Sequence, residues 1–400
     1  MYNIRKVTDD ITWIGASDRR LALFENIFPI SRGVSYNSYI LLDEQTVLFD
    51  TVDASVAGQF FENLEAVLEG RTLDYLIVNH MEPDHCAMIG DIVRRYPDVK
   101  IVGNTKTFGM MNQFFGTDFA ERSIVVKEGD TLSAGKHTLH FVMAPMVHWP
   151  EAMVTYDDVD KVLFSADGFG SFGALNGNIF ADEVDFDRDW LDDARRYYTN
   201  IVGKYGASVQ TLLKKAAGLD IAMICPLHGP VWRENLPYIL EKYQKWSTYE
   251  AEDQAVVIMY ASMYGNTASA ADALAGALAV RSVKKIAVYD VSNTHISELI
   301  SEIFRASHLV FAVPTYNAGI YPVMENLLSD MKALAVQKKT VAVMENGTWA
   351  PTAAKQVKEK LGEMKDMTIL DAGLTIKSAM HAGQKAELDA LADEIVKSMM

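Results

Sequence analysis

From Ala255 to the last residue, strand and helix patterns alternate strictly: "AVVIMYAS", a helix from about Thr267, "KIAVYDVS", a helix, "HLVFAVPTY", a helix, "TVAVMENG", a helix, "MTILDAG" and a last helix. This leaves the chain little choice. Parallel strands need a helical crossover, and such crossovers are right-handed. The pattern therefore predicts a doubly wound parallel sheet over residues 254–400. The first 250 residues follow another grammar, in which "YNSYILL", "TVLFDTV", "TLHFVMAP" and "KVLFSA" arrive in loose pairs with helices between them, as in a mixed α/β region. At 400 residues the chain is long enough for two domains, and the expected boundaries are 1–250 and 254–400.

Composition removes several function classes. The net charge of -16 opposes phosphate-tracking surfaces, so no nucleic-acid partner is expected. No apolar run approaches the ~20 residues that span a bilayer, and the N-terminus lacks the pattern of a secretory signal, so no membrane partner is expected either. The only cysteines, Cys86 and Cys225, are too few for a disulfide framework, which agrees with a cytoplasmic location.

The chemistry concentrates first in "VNHMEPDHCAMIG", residues 78–90, where His80, Glu82, Asp84 and His85 leave the apolar run "LDYLIV" on a turn containing Pro83. A helix "CAMIGDIVRRY" is expected to follow, with Ile89, Ile92, Val93 and Tyr96 on one face. Three later strands end in the same manner: "LHFVMAP" before His148, "VLFSA" before Asp167 and "IAMICP" before His228. A lone histidine or aspartate after a strand is commonly a turn or capping residue. Jointly the reading changes, because strand ends in layered α/β folds converge on one rim, and crowded charge there is costly without compensating cations.

A second set of loops lies in the C-terminal half. Ser262, Met263, Tyr264, Gly265, Asn266 and Thr267 open a helix with hydroxyls, a glycine and free backbone N–H groups, a phosphate cradle. The loop is neither G-x-G-x-x-G nor a P-loop. The next two strand ends carry Pro314, Thr315, Tyr316, Asn317, Ala318 and Gly319, then Asn346, Gly347, Thr348 and Trp349. Tyr316 and Trp349 are placed to stack on a flat ring.

The spacing H-x-[EH]-x-D-H with a later His, Asp and His resembles the metallo-β-lactamase fold, an αββα sandwich. The loops "SMYGNT", "PTYNAG" and "ENGTWA" resemble flavodoxin and imply FMN. Glu82 stands where hydrolases of the first type usually have histidine. Four imidazoles and three carboxylates suit a pair of iron ions better than zinc. Together with "HWP" at 148–150, these features closely resemble the flavodiiron proteins across essentially the whole chain.

That resemblance implies two non-haem iron ions per chain. One would be held by His80, Glu82 and His148, the other by Asp84, His85 and His228, with Asp167 bridging. Phe24 falls where some members carry a histidine, and Tyr197 or Tyr198 matches a tyrosine lining the family's pocket. The implied activity is reduction of O₂ to water, of NO to N₂O, or of both, through FMN. Electrons would come from an external donor such as rubredoxin, and the implied assembly is a head-to-tail homodimer or a dimer of dimers. Two other readings compete: a zinc hydrolase carrying a flavodoxin module, against which Glu82 speaks, and an electron-carrier flavoprotein with a docking scaffold.

Overall fold

A computed structural model of the chain describes residues 1–400. The chain divides into two compact units, one made of Met1–Tyr198 and Ala207–Tyr243, the other of Thr199–Gly206 and Gln244–Met400.

The first unit is built on two sheets. A seven-stranded sheet runs, in spatial order, Arg5–Lys6, Ile11–Trp13, Tyr39–Leu42, Thr46–Phe49, Tyr75–Ile77, Lys100–Gly103 and Ser123–Val125. Its last four strands are parallel, with helices such as Ala57–Leu68 and Thr105–Phe115 in the connections. A five-stranded sheet holds Thr131–Ser133, Thr138–Met143, Met153–Asp157, Val162–Phe164 and Met223–Cys225. Alternation along both sheets sends Trp13, Phe49, Ile77 and Val102 from one and Phe141, Met153 and Phe164 from the other into a single buried core. Phe49 and Phe164 stack there with ring centroids 3.7 Å apart. The opposite face of the first sheet buries Leu48, Leu76 and Ile101, so both faces are covered, as in an αββα sandwich.

The second unit contains the expected parallel sheet. Its strands Ile286–Asp290, Asp253–Tyr260, Ala306–Tyr316, Thr340–Asn346 and Thr368–Ile376 lie in that spatial order, which is the flavodoxin order 2-1-3-4-5. Two apolar clusters cover its faces, one including Ile303, Leu327 and Val357, the other Leu274, Leu391 and Ile395. The sequence did not announce the two-residue turn Asn317–Ala318, which folds Gly319–Ile320 back on Thr315 and Tyr316. Both turn residues have positive φ, 49° and 60°, as this tight turn requires.

Two further departures have local causes. The helix expected over "CAMIGDIVRRY" is broken into Pro83–Cys86 and Ile89–Arg95, and only Ile89 and Ile92 of its apolar face are fully buried. The break follows the loop's anchoring, because Thr51 donates through both its backbone N–H and its hydroxyl to the His85 carbonyl, at 2.8 and 2.7 Å. The stretch Thr199–Gly206 packs with the second unit, where Asn200 donates to the Ser297 carbonyl and the Tyr249 hydroxyl to that of Gly203.

Candidate metal centre and flavin pocket

The cluster begins with a buried aspartate. Asp50 follows the strand Thr46–Phe49 and accepts from the backbone N–H groups of Asn79 and His80 at 2.8 and 3.2 Å, and from Asn79 Nδ2 at 2.8 Å. Burial lifts its pKa to about 6. This contact fixes the chain where it leaves Tyr75–Ile77, so His80 enters the interior in one orientation.

The structure brings all seven expected residues together, in two groups that meet at Asp167. His80, Glu82, His148 and Asp167 form one, and Asp84, His85 and His228 the other. In the first, His148 Nε2 lies 3.0 Å from both Glu82 Oε2 and Asp167 Oδ2, and His80 Nε2 lies 3.2 and 3.3 Å from the same atoms. In the second, His85 Nε2 and His228 Nε2 face each other at 3.0 Å, and each is 3.3 Å from Asp84 Oδ2. Asp167 turns Oδ2 to the first group and Oδ1 to the second, 3.2 Å from His85 Nε2. Donors ~2.1 Å from one metal ion and at right angles about it are ~3.0 Å apart, so each group has the spacing of a coordination shell.

The electrostatics fit cations as well. His80, His85 and His228 are fully buried and Asp167 is 1% exposed. Burial opposes a charged imidazole, yet Asp167 and its neighbours raise His80 well above its ordinary pKa and His148 to about 9. Both oxygens of Asp84 and Oδ1 of Asp167 are buried acceptors with no donor. Buried acceptors in that state cost free energy, and a pair of divalent ions would satisfy them.

Aromatic rings wall the second group. Phe24, Tyr197 and Tyr36 lie with ring centroids 5.4, 5.4 and 5.7 Å from that of His228. Of the two tyrosines singled out in the sequence, Tyr197 meets His228, while Tyr198 packs on Tyr243. The Tyr197 hydroxyl is buried without a partner, and burial keeps its pKa well above the usual phenol value, so it remains an O–H donor.

In the second unit, the three loops named from the sequence line one cavity of about 550 Å³ at the carboxyl ends of the parallel strands. Gly265, with φ of 90°, caps the helix Asn266–Val280, and its N–H donates to Ser262 Oγ. Thr267 Oγ1 accepts from Asn346 Nδ2 at 3.3 Å, which ties the first loop to the third and leaves the threonine O–H free to donate. Gly347 permits the third loop to close, since a Cβ there would sit 2.7 Å from Pro351 Cα. Tyr316 and Trp349, the two rings expected to stack, both line the cavity at 42% and 90% exposed, and Tyr264, 91% exposed, adds a third flat face suited to a ring. The cradle, cavity and aromatics fit a phosphorylated flavin.

A family model described as ODP family beta lactamase matches residues 34–229, and a flavodoxin model matches residues 258–394. The anaerobic nitric oxide reductase flavorubredoxin of Salmonella paratyphi B is 32% identical over 391 residues, 96% of this chain and 79% of that protein. The structure of the rubredoxin oxygen:oxidoreductase of Desulfovibrio gigas superposes with a TM-score of 0.91 at 29% identity, covering 99% of this chain and 98% of that one. A variant of the flavo di-iron protein of Thermotoga maritima gives 0.91 at 27% identity, with coverages of 99% and 98%. The chain belongs to the flavodiiron protein family.

Several residues that shape the sites of this flavodiiron protein were not marked by the sequence. Glu151 is buried against His80, with Oε1 2.9 Å from Nδ1. Its place directly after "HWP" was the available signal. Glu25 sits on the turn of the hairpin Leu23–Phe24 and Phe28–Pro29, and desolvation with the charge of Glu82 raises its pKa to about 8. Ser378, beyond the fifth parallel strand, joins the flavin cavity and exchanges hydrogen bonds with Asn346. Nothing local distinguishes Glu25 and Ser378 from ordinary turn positions.

Proposed function

We propose that the chain reduces O₂ to water, NO to N₂O, or both, using FMN and a non-haem diiron centre. Residues 1–250 would form the diiron domain and 254–400 the flavin domain. The observation that carries the reading is the bridging disposition of Asp167 between two like-sized donor groups of mixed carboxylate and imidazole character. Against a zinc hydrolase speaks Glu82, a carboxylate where hydrolases of that type usually carry histidine. The named relatives, a nitric oxide reductase and an oxygen reductase, also favour reduction over hydrolysis.

In this reading His80, Glu82 and His148 would hold one iron and Asp84, His85 and His228 the other, with Asp167 available to both. When bound, two ferrous ions and a reduced flavin together supply the four electrons that turn O₂ into water, or the two that turn a pair of NO molecules into N₂O and water. The chain supplies the surroundings. Phe24, Tyr36 and Tyr197 exclude bulk water from the His228 side, and Tyr197 offers its phenol O–H to a small polar guest. The loops at Ser262–Thr267, Pro314–Gly319 and Asn346–Trp349 hold phosphate and ring.

The Desulfovibrio gigas relative is named for rubredoxin, and a rubredoxin-type donor fits this chain. A head-to-tail homodimer, or a dimer of such dimers, would let the flavin of one copy serve the metal centre of another, in the cytoplasm. No helix is long and apolar enough to cross a membrane. The activity is tested by anaerobic stopped-flow of the reduced protein against O₂ and NO separately. Rapid flavin reoxidation by at least one gas is expected; inertness to both with full iron and FMN would leave only an electron carrier.

A further inference from the structure

We propose that the two metal positions differ in affinity and that Glu151 makes them differ. The inference rests on the two-metal reading above. Leaving Asp167 aside, the positions are matched: His80, His148 and Glu82 face one and His85, His228 and Asp84 the other, while Asp167 turns Oδ2 to the first, 3.0 Å from His148 Nε2, and Oδ1 to the second, 3.2 Å from His85 Nε2. Donor count and charge therefore cannot rank them.

The outer nitrogens of the imidazoles can. His80 Nδ1 lies 2.9 Å from Glu151 Oε1, and the same oxygen accepts from the Met81 backbone N–H at 2.8 Å. Glu151 is 1% exposed, so this is a carboxylate fixed from two directions inside the protein. A carboxylate on the outer nitrogen holds the N–H there, turns the Nε2 lone pair inward and strengthens it as a donor. Across Asp167 the arrangement is weaker. His228 Nδ1 donates to the neutral carbonyl of Ser35 at 2.8 Å, and His85 Nδ1 is buried with no partner at all.

The position facing His80, Glu82 and His148 consequently binds a divalent ion more tightly. The position facing Asp84, His85 and His228 fills second and empties first. Glu151 touches neither metal nor gas in this scheme. It is a positioning residue acting through His80, and losing such a partner typically costs ~10–100-fold in metal affinity.

The test starts from FMN-loaded protein carrying two iron ions per chain and withdraws metal with graded EDTA under anaerobic conditions. Wild-type protein should lose iron in two steps. Crystals from the half-depleted sample should show iron anomalous density between His80, Glu82 and His148. Glu151→Gln, which keeps the acceptor but removes the charge, should bring the second step ~10–100-fold closer to the first. Glu151→Asp should restore part of the gap, with FMN content unchanged in both variants. Residual density at the opposite position, or equal density at both, overturns the proposal, and the wild-type crystal decides this whether or not a variant folds. Two ions lost together refute the inequality alone. Protein that never loads more than one ion refutes the two-metal reading and the inequality with it.

Discussion

The two pockets solve opposite problems. The metal centre is built from charged side chains already buried and turned toward one another, with His80, His85 and His228 fully inside. Its shape exists in advance because segments of two sheets and the Asp50 and Thr51 contacts impose it. The flavin pocket is built from loops at one sheet edge, and its most prominent aromatics stand about nine-tenths exposed. One site is held rigid and needs cations to offset its charge; the other is open and gains contacts when a ring arrives. Removing a group should therefore fail differently in each.

The largest effect is expected at the shared carboxylate. Asp167→Asn removes the charge seen by both groups, so iron affinity should fall by more than the ~10–100-fold typical of losing an outer partner and bound iron should drop below two per chain, while FMN stays bound. Elemental analysis beside flavin absorbance checks both halves, and retention of two irons with full turnover would erase the contrast. Next comes the cradle. In Asn266→Ala with Thr267→Ala, each lost hydrogen bond to a charged phosphate is worth ~1.5–3 kcal/mol, so the FMN dissociation constant should rise ~10-fold or more with iron unaffected. Fluorescence titration of the apo-flavin protein measures it.

Trp349→Ala should be milder. Stacking contributes ~0.5–1.5 kcal/mol, a ~2–10-fold weakening of FMN binding, and the exposed indole should leave folding stability unchanged. The smallest expected effect lies away from both pockets, at His137, whose ring meets Asp157 at 2.9 Å and Asp10 at 3.1 Å. Burial works against its charge, but these carboxylates raise its pKa overall. The charged form is thus favoured in the folded state, so its contribution is fully present below the unfolded pKa of ~6.5 and fades as pH climbs through the folded value. Denaturant midpoints of wild type and His137→Gln should converge as pH rises through that window. A constant difference would show that His137 acts by packing alone.

What could be foreseen from the sequence follows the same division. The parallel sheet was legible because its strands and crossovers are local patterns, whereas its order 2-1-3-4-5 was not, since right-handed connections allow other doubly wound orders equally. The seven polar residues at strand ends were legible because rigid elements precede each one. Glu151, Glu25 and Ser378 were not, since their partners lie 71, 57 and 32 positions away and no local period marks them. The choice between Tyr197 and Tyr198 needed the rotation of a helix that ends at Tyr197 and passes into a π-type turn, which composition does not reveal.

Anomalous diffraction at the iron edge from crystals of the purified, FMN-containing protein addresses the whole scheme at once. Two iron peaks are expected, one on each side of Asp167, within coordination distance of His80, Glu82 and His148 and of Asp84, His85 and His228. A single peak, zinc in place of iron, or metal lodged away from Asp167 would contradict it.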